Sequence, residues 1–354
     1  MSYKVIQWGT GFTGKMVARE LIEHPEFELV GVIVNDEDKN GVDIGELAGT
    51  GPAGVLCTTD VDAGLALDAD VVAYYGPTAA FAAVNIENMC KALRAGKDVV
   101  STSMTPFVYP KACPESMIKP MEEACRESGK SCFTSGIDPG FANDLFPLTL
   151  MGLCGRVDRV RIQEILDYQS YTGDYALTMG IGEPLEFEAL LENTKVLVYS
   201  WGHTIPMIAD AMGVEIEKYD SVYEKWEAPH DIEHMNGVIK KGCCAAVRFE
   251  IQGYVNGEPR IVIEHVNRIT KATAPDWPRT KIEDDDCYRV IIEGSPNITQ
   301  ETAFRGAYDG DSNSGGCLST GMRAIHAIPA VVAAGPGLLS ALDLPLIPGV
   351  GNMR

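Results

Sequence analysis

Three glycines stand together near the start of the chain. In "KVIQWGTGFTGK", Lys4 to Lys15, they fall at Gly9, Gly11 and Gly14, with Thr10, Phe12 and Thr13 between them. The spacing is Gly-x-Gly-x-x-Gly, and it suits a diphosphate. Gly9 permits a tight turn, Gly11 lets the backbone approach the anion, and Gly14 lets a helix pack closely on a strand. The free N–H groups of a helix N-terminus add hydrogen bonds and partial positive charge.

Candidates for moving a proton lie further along. Tyr168, Tyr171 and Tyr175 crowd "EILDYQSYTGDY". A phenol there would donate to a carbonyl oxygen, although aromatic packing is the plainer reading of each tyrosine alone. His203, in "SWGHTIP", has an imidazole whose ordinary pKa lies near neutrality, against a plainer structural role. His230 and His234 stand four apart and on a helix would share a face. No third ligand is evident, so no metal is expected. Asp144 suits a helix cap, and Ile282–Cys287, "IEDDDC", reads as a solvated acidic loop.

These residues need elements to hold them. "YKVIQWG" reads as a buried strand, "GKMVARELIEHPEF" as an amphipathic helix, and "ELVGVIV" as a second buried strand followed by Asn35, Asp36 and Lys39. An acid after that strand meets the adenosine ribose hydroxyls of NAD, whereas Lys39 suits the 2′-phosphate of NADP; the preference leans to NAD. The alternation continues through "DADVVAYYGPT", "AAVNIENMCKALRAGK", "DVVSTSM", "MIKPMEEACRESGK" and "SCFTSGIDPG". Parallel sheets bind ligands at the carboxyl ends of their strands. That places Gly76, Pro77 and Thr78, then Ser101, Thr102 and Ser103, then Asp138, Pro139 and Gly140 at the nicotinamide half.

From about Leu145 the texture changes to strands with period-two alternation, and Asn256-Gly257 marks a hairpin. A long helical stretch is expected within "PLEFEALLENTKVLVYSWGHTIPMIADAMG". The predicted fold class is α/β: a doubly wound parallel Rossmann sheet, then an α+β substrate domain with an open, mostly antiparallel sheet. The expected domains are residues 1–143, 144–314 and a C-terminal helix, 315–354, returning to the first, with a cleft between the domains.

Bulk properties restrict partners. The chain has 354 residues and a formal net charge of −21, with no basic cluster, which disfavours nucleic acid and anionic membrane. No apolar run is long enough for a membrane span. The ten cysteines show no Cys-x-x-Cys spacing, so reduced thiols in a cytoplasmic protein are expected.

"VIQWGTGFTG", "ALRAGKDVVSTS", "GIDPGFANDLFPLTLMGLCGRVDRV" and "STGMRAIHAIPAVVAAGPGL" together resemble the dihydrodipicolinate reductase-like oxidoreductases. The branch is that of 2,4-diaminopentanoate dehydrogenase and the native amine dehydrogenases. The resemblance implies an NAD or NADP cofactor and a homodimer, and the apolar and aromatic residues of "LVYSWGHTIPMI" point to a small, hydrophobic ketone or amine as substrate. It implies hydride transfer at a carbon bearing nitrogen.

Two positions depart from the family pattern. The family's catalytic glutamate falls here on Met104 or Thr105, and its Asn-Pro-Gly turn reads Asp138-Pro139-Gly140. Tyr109, in the loop without its glutamate, is the nearest positional substitute. Two alternatives follow: a ketone/alcohol oxidoreductase using Tyr109 or Tyr168, and a cofactor-binding protein that has lost catalysis.

Overall fold

The computed structural model describes residues 2–170, 178–235, 237–282 and 286–353. Two compact units form, residues 1–139 with 317–354, and residues 140–316. The chain thus leaves the first unit after Pro139 and re-enters it at Cys317.

The first unit is built on a seven-stranded sheet. In chain order it contains β1 (Tyr3–Trp8), α1 (Phe12–Ile22), β2 (Phe27–Ile33), α2 (Ile44–Ala48), β3 (Cys57–Thr58), α3 (Val61–Leu65), β4 (Val71–Tyr74), α4 (Ala82–Arg94), β5 (Asp98–Ser101), α5 (Glu115–Ser128) and β6 (Ser131–Thr134). A last strand, Gly337–Leu339, pairs with β6, and the order inward from it is β6-β5-β4-β1-β2-β3. Every pairing is parallel. The central strands read as continuous apolar runs because helices cover both faces. Val71–Tyr74 and Asp98–Ser101 are buried along their whole length. The order reverses between β1 and β4, so the carboxyl ends of these two strands flank the switch point where such sheets bind ligands.

The second unit holds α6 (Leu145–Met151), β7 (Arg156–Asp167), α7 (Thr194–Trp201), α8 (Thr204–Met212), β8 (Lys218–Glu227), β9 (Ile232–His234), β10 (Gly237–Ile239), β11 (Cys244–Val255), β12 (Glu258–Arg268), β13 (Cys287–Ser295) and β14 (Ile298–Thr302). Its six-stranded sheet runs β14-β13-β7-β12-β11-β8, and β7–β12 is the parallel pair in an otherwise antiparallel array. The hairpin between β11 and β12 turns on Asn256 and Gly257, with φ of 54° and 77°. Both angles are positive, as a two-residue type I′ turn requires.

One face of this sheet is apolar. Val160, Ile162, Phe249, Ile251, Ile263 and Val290 form a core with Leu197, Ile205 and Ile208 of the two helices. The opposite face carries charge that is paired across all six strands. Glu301 accepts from Arg289 Nε at 2.6 Å, and Arg289 Nη1 donates to Gln163 Oε1 at 2.9 Å. Gln163 Nε2 donates to Glu264 at 2.9 Å. Arg248 donates to Glu264 at 2.7 Å and to Glu224 at 3.0 Å. Arg161 adds bonds to both Glu250 and Glu264.

Three expectations are corrected. The long helix expected around residues 184–213 is two short helices, broken at Gly202-His203. Residues 184–193 form turns and a 3₁₀ turn at Leu190–Glu192, after which Asn193 caps α7 by accepting from Lys195 N at 3.0 Å. Pro206, which lacks an N–H, is accommodated in the first turn of the second helix. His234 ends a hairpin strand and His230 precedes it, so they do not share a helical face. Asp286 is buried rather than solvated: it accepts from Asp167 N at 2.7 Å and from the Ser312 hydroxyl. Residues 283–285 of that acidic stretch lie outside the described residues.

Candidate functional site

The glycine turn follows β1 directly. Gly9 has φ of 109°, and a Cβ built on it would collide with the carbonyl oxygen of Tyr75, at the end of β4. A Cβ on Gly14 would collide with the carbonyl oxygen of Gly9. Gly11 differs: no atom lies within 4 Å of the place a Cβ would take. It is the N-cap of α1, no side chain caps that end, and no acidic residue stands in the first turn. Two of the glycines are therefore required by the fold, and the third opens a space before bare helix N–H groups. Thr10 is buried, Thr13 half-buried and Phe12 exposed. This cradle fits the pyrophosphate of a dinucleotide.

The loop after β2 positions the next candidates. Asn35 and Asp36 are exposed. Asp36 Oδ1 accepts from Asp38 N at 3.1 Å, and its Oδ2 lies 3.5 Å from Lys39 Nζ. The acid caps its own turn and shares its charge with the lysine.

The loop after β4 is tied down from two sides. Asn85, fully buried in α4, donates through Nδ2 to the carbonyl oxygens of Pro77 at 3.0 Å and Thr78 at 3.1 Å. Its Oδ1 accepts from the Tyr74 hydroxyl at 2.9 Å. Ser103 Oγ donates to Gly76 O at 3.1 Å, and Ser103 N donates to Ser101 Oγ at 3.0 Å. Thr102 N reaches Tyr74 O at 3.4 Å. The structure thus gathers Gly9–Gly14, Gly76–Thr78 and Ser101–Ser103 at the carboxyl ends of β1, β4 and β5. Asp138 and Pro139 follow β6 in the same unit, and Gly140 opens the second. Gly140 N donates to Asn143 Oδ1 at 2.8 Å, and Asp144 caps α6 by accepting from Leu145 N.

The proton-handling candidates are placed less simply. Met104 is fully buried, and its sulfur accepts from Asn85 Nδ2 at 3.6 Å. Tyr109 is also buried, between two 3₁₀ turns. Tyr168 follows β7, half-buried, with its N–H donating to Arg268 O at 2.7 Å. Tyr171 and Tyr175 lie outside the described residues. His203 sits buried at the start of α8, where desolvation pushes its imidazole down to about 4. It is neutral near pH 7.

Sequence reasoning missed a pair in the second unit. Glu164 of β7 and His265 of β12 are register partners, with Oε1 and Nδ1 3.1 Å apart. Both are buried. The imidazole stacks on Phe249, ring centres 4.6 Å apart, and meets the edge of Trp201 at 5.0 Å. A signal was present: Glu164 interrupts the apolar series Val160, Ile162, and His265 and Asn267 interrupt Ile261, Ile263. Polar residues in the buried register of a strand mark a site or a buried network.

Comparisons with known proteins cover nearly the whole chain. The dihydrodipicolinate reductase N-terminal family matches residues 3–105, and the 2,4-diaminopentanoate dehydrogenase C-terminal domain family matches residues 141–353. An amine dehydrogenase from Streptomyces virginiae is 36% identical over 353 residues, 98% of each chain. The 2,4-diaminopentanoate dehydrogenase of Acetoanaerobium sticklandii is 26% identical, over 97% of this chain and 93% of that one. The structure of an amine dehydrogenase from Mycobacterium smegmatis shares the fold, with a TM-score of 0.78 at 17% identity, over 98% of this chain and 97% of that one.

Proposed function

The chain belongs to the amine dehydrogenase and 2,4-diaminopentanoate dehydrogenase family, and on that premise we propose that it interconverts a small, hydrophobic amine with its imine and ketone or aldehyde. It is an NAD(P)-dependent oxidoreductase. The bound nicotinamide supplies or accepts the hydride. The observation that carries the reading is the glycine cradle at the switch point, open at Gly11 and backed by the uncapped start of α1.

The chain's own residues divide the remaining work. Gly9–Gly14 take the pyrophosphate, Asp36 the adenosine ribose, and Gly76–Thr78 with Ser101–Ser103 the nicotinamide side. Oxidation of the amine removes one hydride from carbon and one proton from nitrogen; water then converts the imine to ketone and ammonia. With Met104 or Thr105 at the family's glutamate position, we assign the proton to Tyr109, the nearest substitute, buried in the same unit. We also propose a homodimer, as the resemblance implies, and a reducing cytoplasmic compartment, which ten cysteines without a Cys-x-x-Cys spacing suit.

A second reading has one observation in its favour. Met104 or Thr105 stands where the family's glutamate is expected, which favours carbonyl reduction with Tyr109 or Tyr168 as proton donor. The experiment follows oxidation of NADH and of NADPH against hydrophobic ketones and aldehydes, with and without ammonia. Oxidation that requires ammonia supports the amine reaction. In that case Tyr109→Phe should lower kcat about a hundredfold. Oxidation indifferent to ammonia makes the protein a carbonyl reductase. Cofactor binding without turnover leaves a binding protein.

A further inference from the structure

Two buried carboxamides in the first unit make the same unusual contact. Gln7, fully buried in β1, donates through Nε2 to the carbonyl oxygens of Gly9 at 2.9 Å and Gly14 at 2.8 Å. Asn85, fully buried in α4, donates through Nδ2 to Pro77 O and Thr78 O. Each amide nitrogen bridges two main-chain carbonyls at the carboxyl edge of the sheet: Gln7 joins the Gly9 turn to the first turn of α1, and Asn85 holds the loop after β4.

Stability alone does not account for Gln7. Its Oε1 is buried and makes no hydrogen bond with a described residue. Such an orphaned acceptor destabilises the fold, because its water bonds are lost and nothing replaces them. An aliphatic side chain would fill the same place in the sheet without that cost, but it would lose the bridge that ties the Gly9 carbonyl to the first turn of α1. Glycines have no side chains to anchor their own turn, so the brace must come from elsewhere. Asn85 is engaged at both ends, because Tyr74 holds its Oδ1 and Asn88 in turn donates to the Tyr74 hydroxyl at 3.1 Å.

We infer that Gln7 and Asn85 are positioning residues that hold separate halves of the dinucleotide site: Gln7 sets the pyrophosphate turn, and Asn85 sets the 76–78 loop on the nicotinamide side. The inference rests on the reading of this unit as a dinucleotide site. A dinucleotide held in two independent cradles loses affinity selectively when one is loosened. ADP-ribose carries the adenosine and pyrophosphate but no nicotinamide, so it reports on the Gln7 brace alone.

The test measures dissociation constants for NADH and ADP-ribose by calorimetry on the full chain. Asn85→Leu should weaken NADH about tenfold and leave ADP-ribose within twofold of wild type. Gln7→Met should weaken both ligands about equally. Tyr74→Phe, which releases Asn85 Oδ1 without emptying the core, should show the Asn85 pattern at smaller size and covers the case in which the leucine variant does not fold. Equal loss of both ligands in the folded Asn85 or Tyr74 variant, or unchanged ADP-ribose binding in Gln7→Met, overturns the inference. Wild-type protein that binds neither ligand overturns the dinucleotide reading itself.

Discussion

The backbone of Gly9 lies against the carbonyl oxygen of Tyr75 with no room for a methyl group between them. This contact joins the turn after β1 to the end of β4, and Tyr75 is fixed in turn: its N–H donates to Trp8 O at 2.7 Å and its hydroxyl to Gly321 O at 3.0 Å. Gly9 is therefore structural, whereas Gly11 faces open space. Gly9→Ala should destabilise the first unit by about 2–4 kcal/mol, combining positive-φ strain with the collision. Gly11→Ala should leave the melting temperature within about 2 °C and raise KM for the cofactor at least tenfold. Thermal melts alongside cofactor kinetics separate the two. A Gly11→Ala protein with unchanged KM would sink the pyrophosphate assignment.

Asp36 and Lys39 set up a second prediction. They lie 3.5 Å apart and are both accessible, so each partly cancels the other's effect on an incoming ribose. Asp36→Ala removes the charge that repels a 2′-phosphate and leaves the lysine free to attract it. The ratio of kcat/KM for NADH over NADPH should fall by about tenfold. Lys39→Ala should move the ratio the other way, by a smaller factor because the pair is solvent-screened. Movement of both variants in the same direction would exclude the loop from cofactor choice.

What could be read beforehand follows from how local each signal is. The first unit was legible because Gly9, Gly11 and Gly14 sit within six positions between a buried strand and an amphipathic helix, and the βαβ alternation repeats. The Asn256-Gly257 hairpin was equally local. The failures were tertiary. Nothing near Gly202-His203 except one glycine announced a break, so two helices read as one. Asp286 looked solvated among its acidic neighbours, but Ser312 and the Asp167 amide, both distant in sequence, draw it inside. Glu164 and His265 are about a hundred positions apart and meet only because β7 and β12 pair in parallel. Gln7 and Asn85 were hidden for another reason: their partners are backbone carbonyls, which leave no mark in a sequence.

Buried histidines give a third prediction, for stability against pH. Desolvation holds His203 at about 4, and His326 is likewise pushed down to about 4 by burial, with His24 and Arg323 adding to the effect. In an unfolded chain each imidazole titrates near 6.5. Between those values the unfolded state binds the extra protons, so stability is complete above about pH 6.5 and declines as pH falls toward 4. For His203 the loss approaches about 3 kcal/mol. Melting temperature from pH 7.5 to 4.5 should therefore drop less steeply in His203→Asn than in wild type, measured against each protein's own value at pH 7.5. Parallel curves would show that His203 is accessible to protons in the folded state.

The charged face of the second sheet yields the fourth. The chain of bonds from Glu301 through Arg289, Gln163, Glu264 and Arg248 to Glu224 spans all six strands, but its members differ in exposure. The Glu264 side chain is 1% exposed and meets two arginines, whereas that of Glu224 at the β8 edge is 44% exposed. Coulomb attraction in the interior is weakly screened, and removing one partner there leaves the other charges desolvated and unmatched. Glu264→Gln keeps the shape but turns a carboxylate facing Arg161 and Arg248 into an amide, and it should cost about 3 kcal/mol or more. Glu224→Gln should cost less than about 1 kcal/mol. Urea unfolding followed by tryptophan emission reads this unit selectively, because Trp201, Trp226 and Trp277, three of the four tryptophans, lie within it. The ranking should survive 0.5 M salt, with the small Glu224 effect disappearing and the Glu264 effect persisting. Equal costs at the two positions would mean that water reaches the middle of the sheet face, and the six-strand network would then contribute solubility rather than stability.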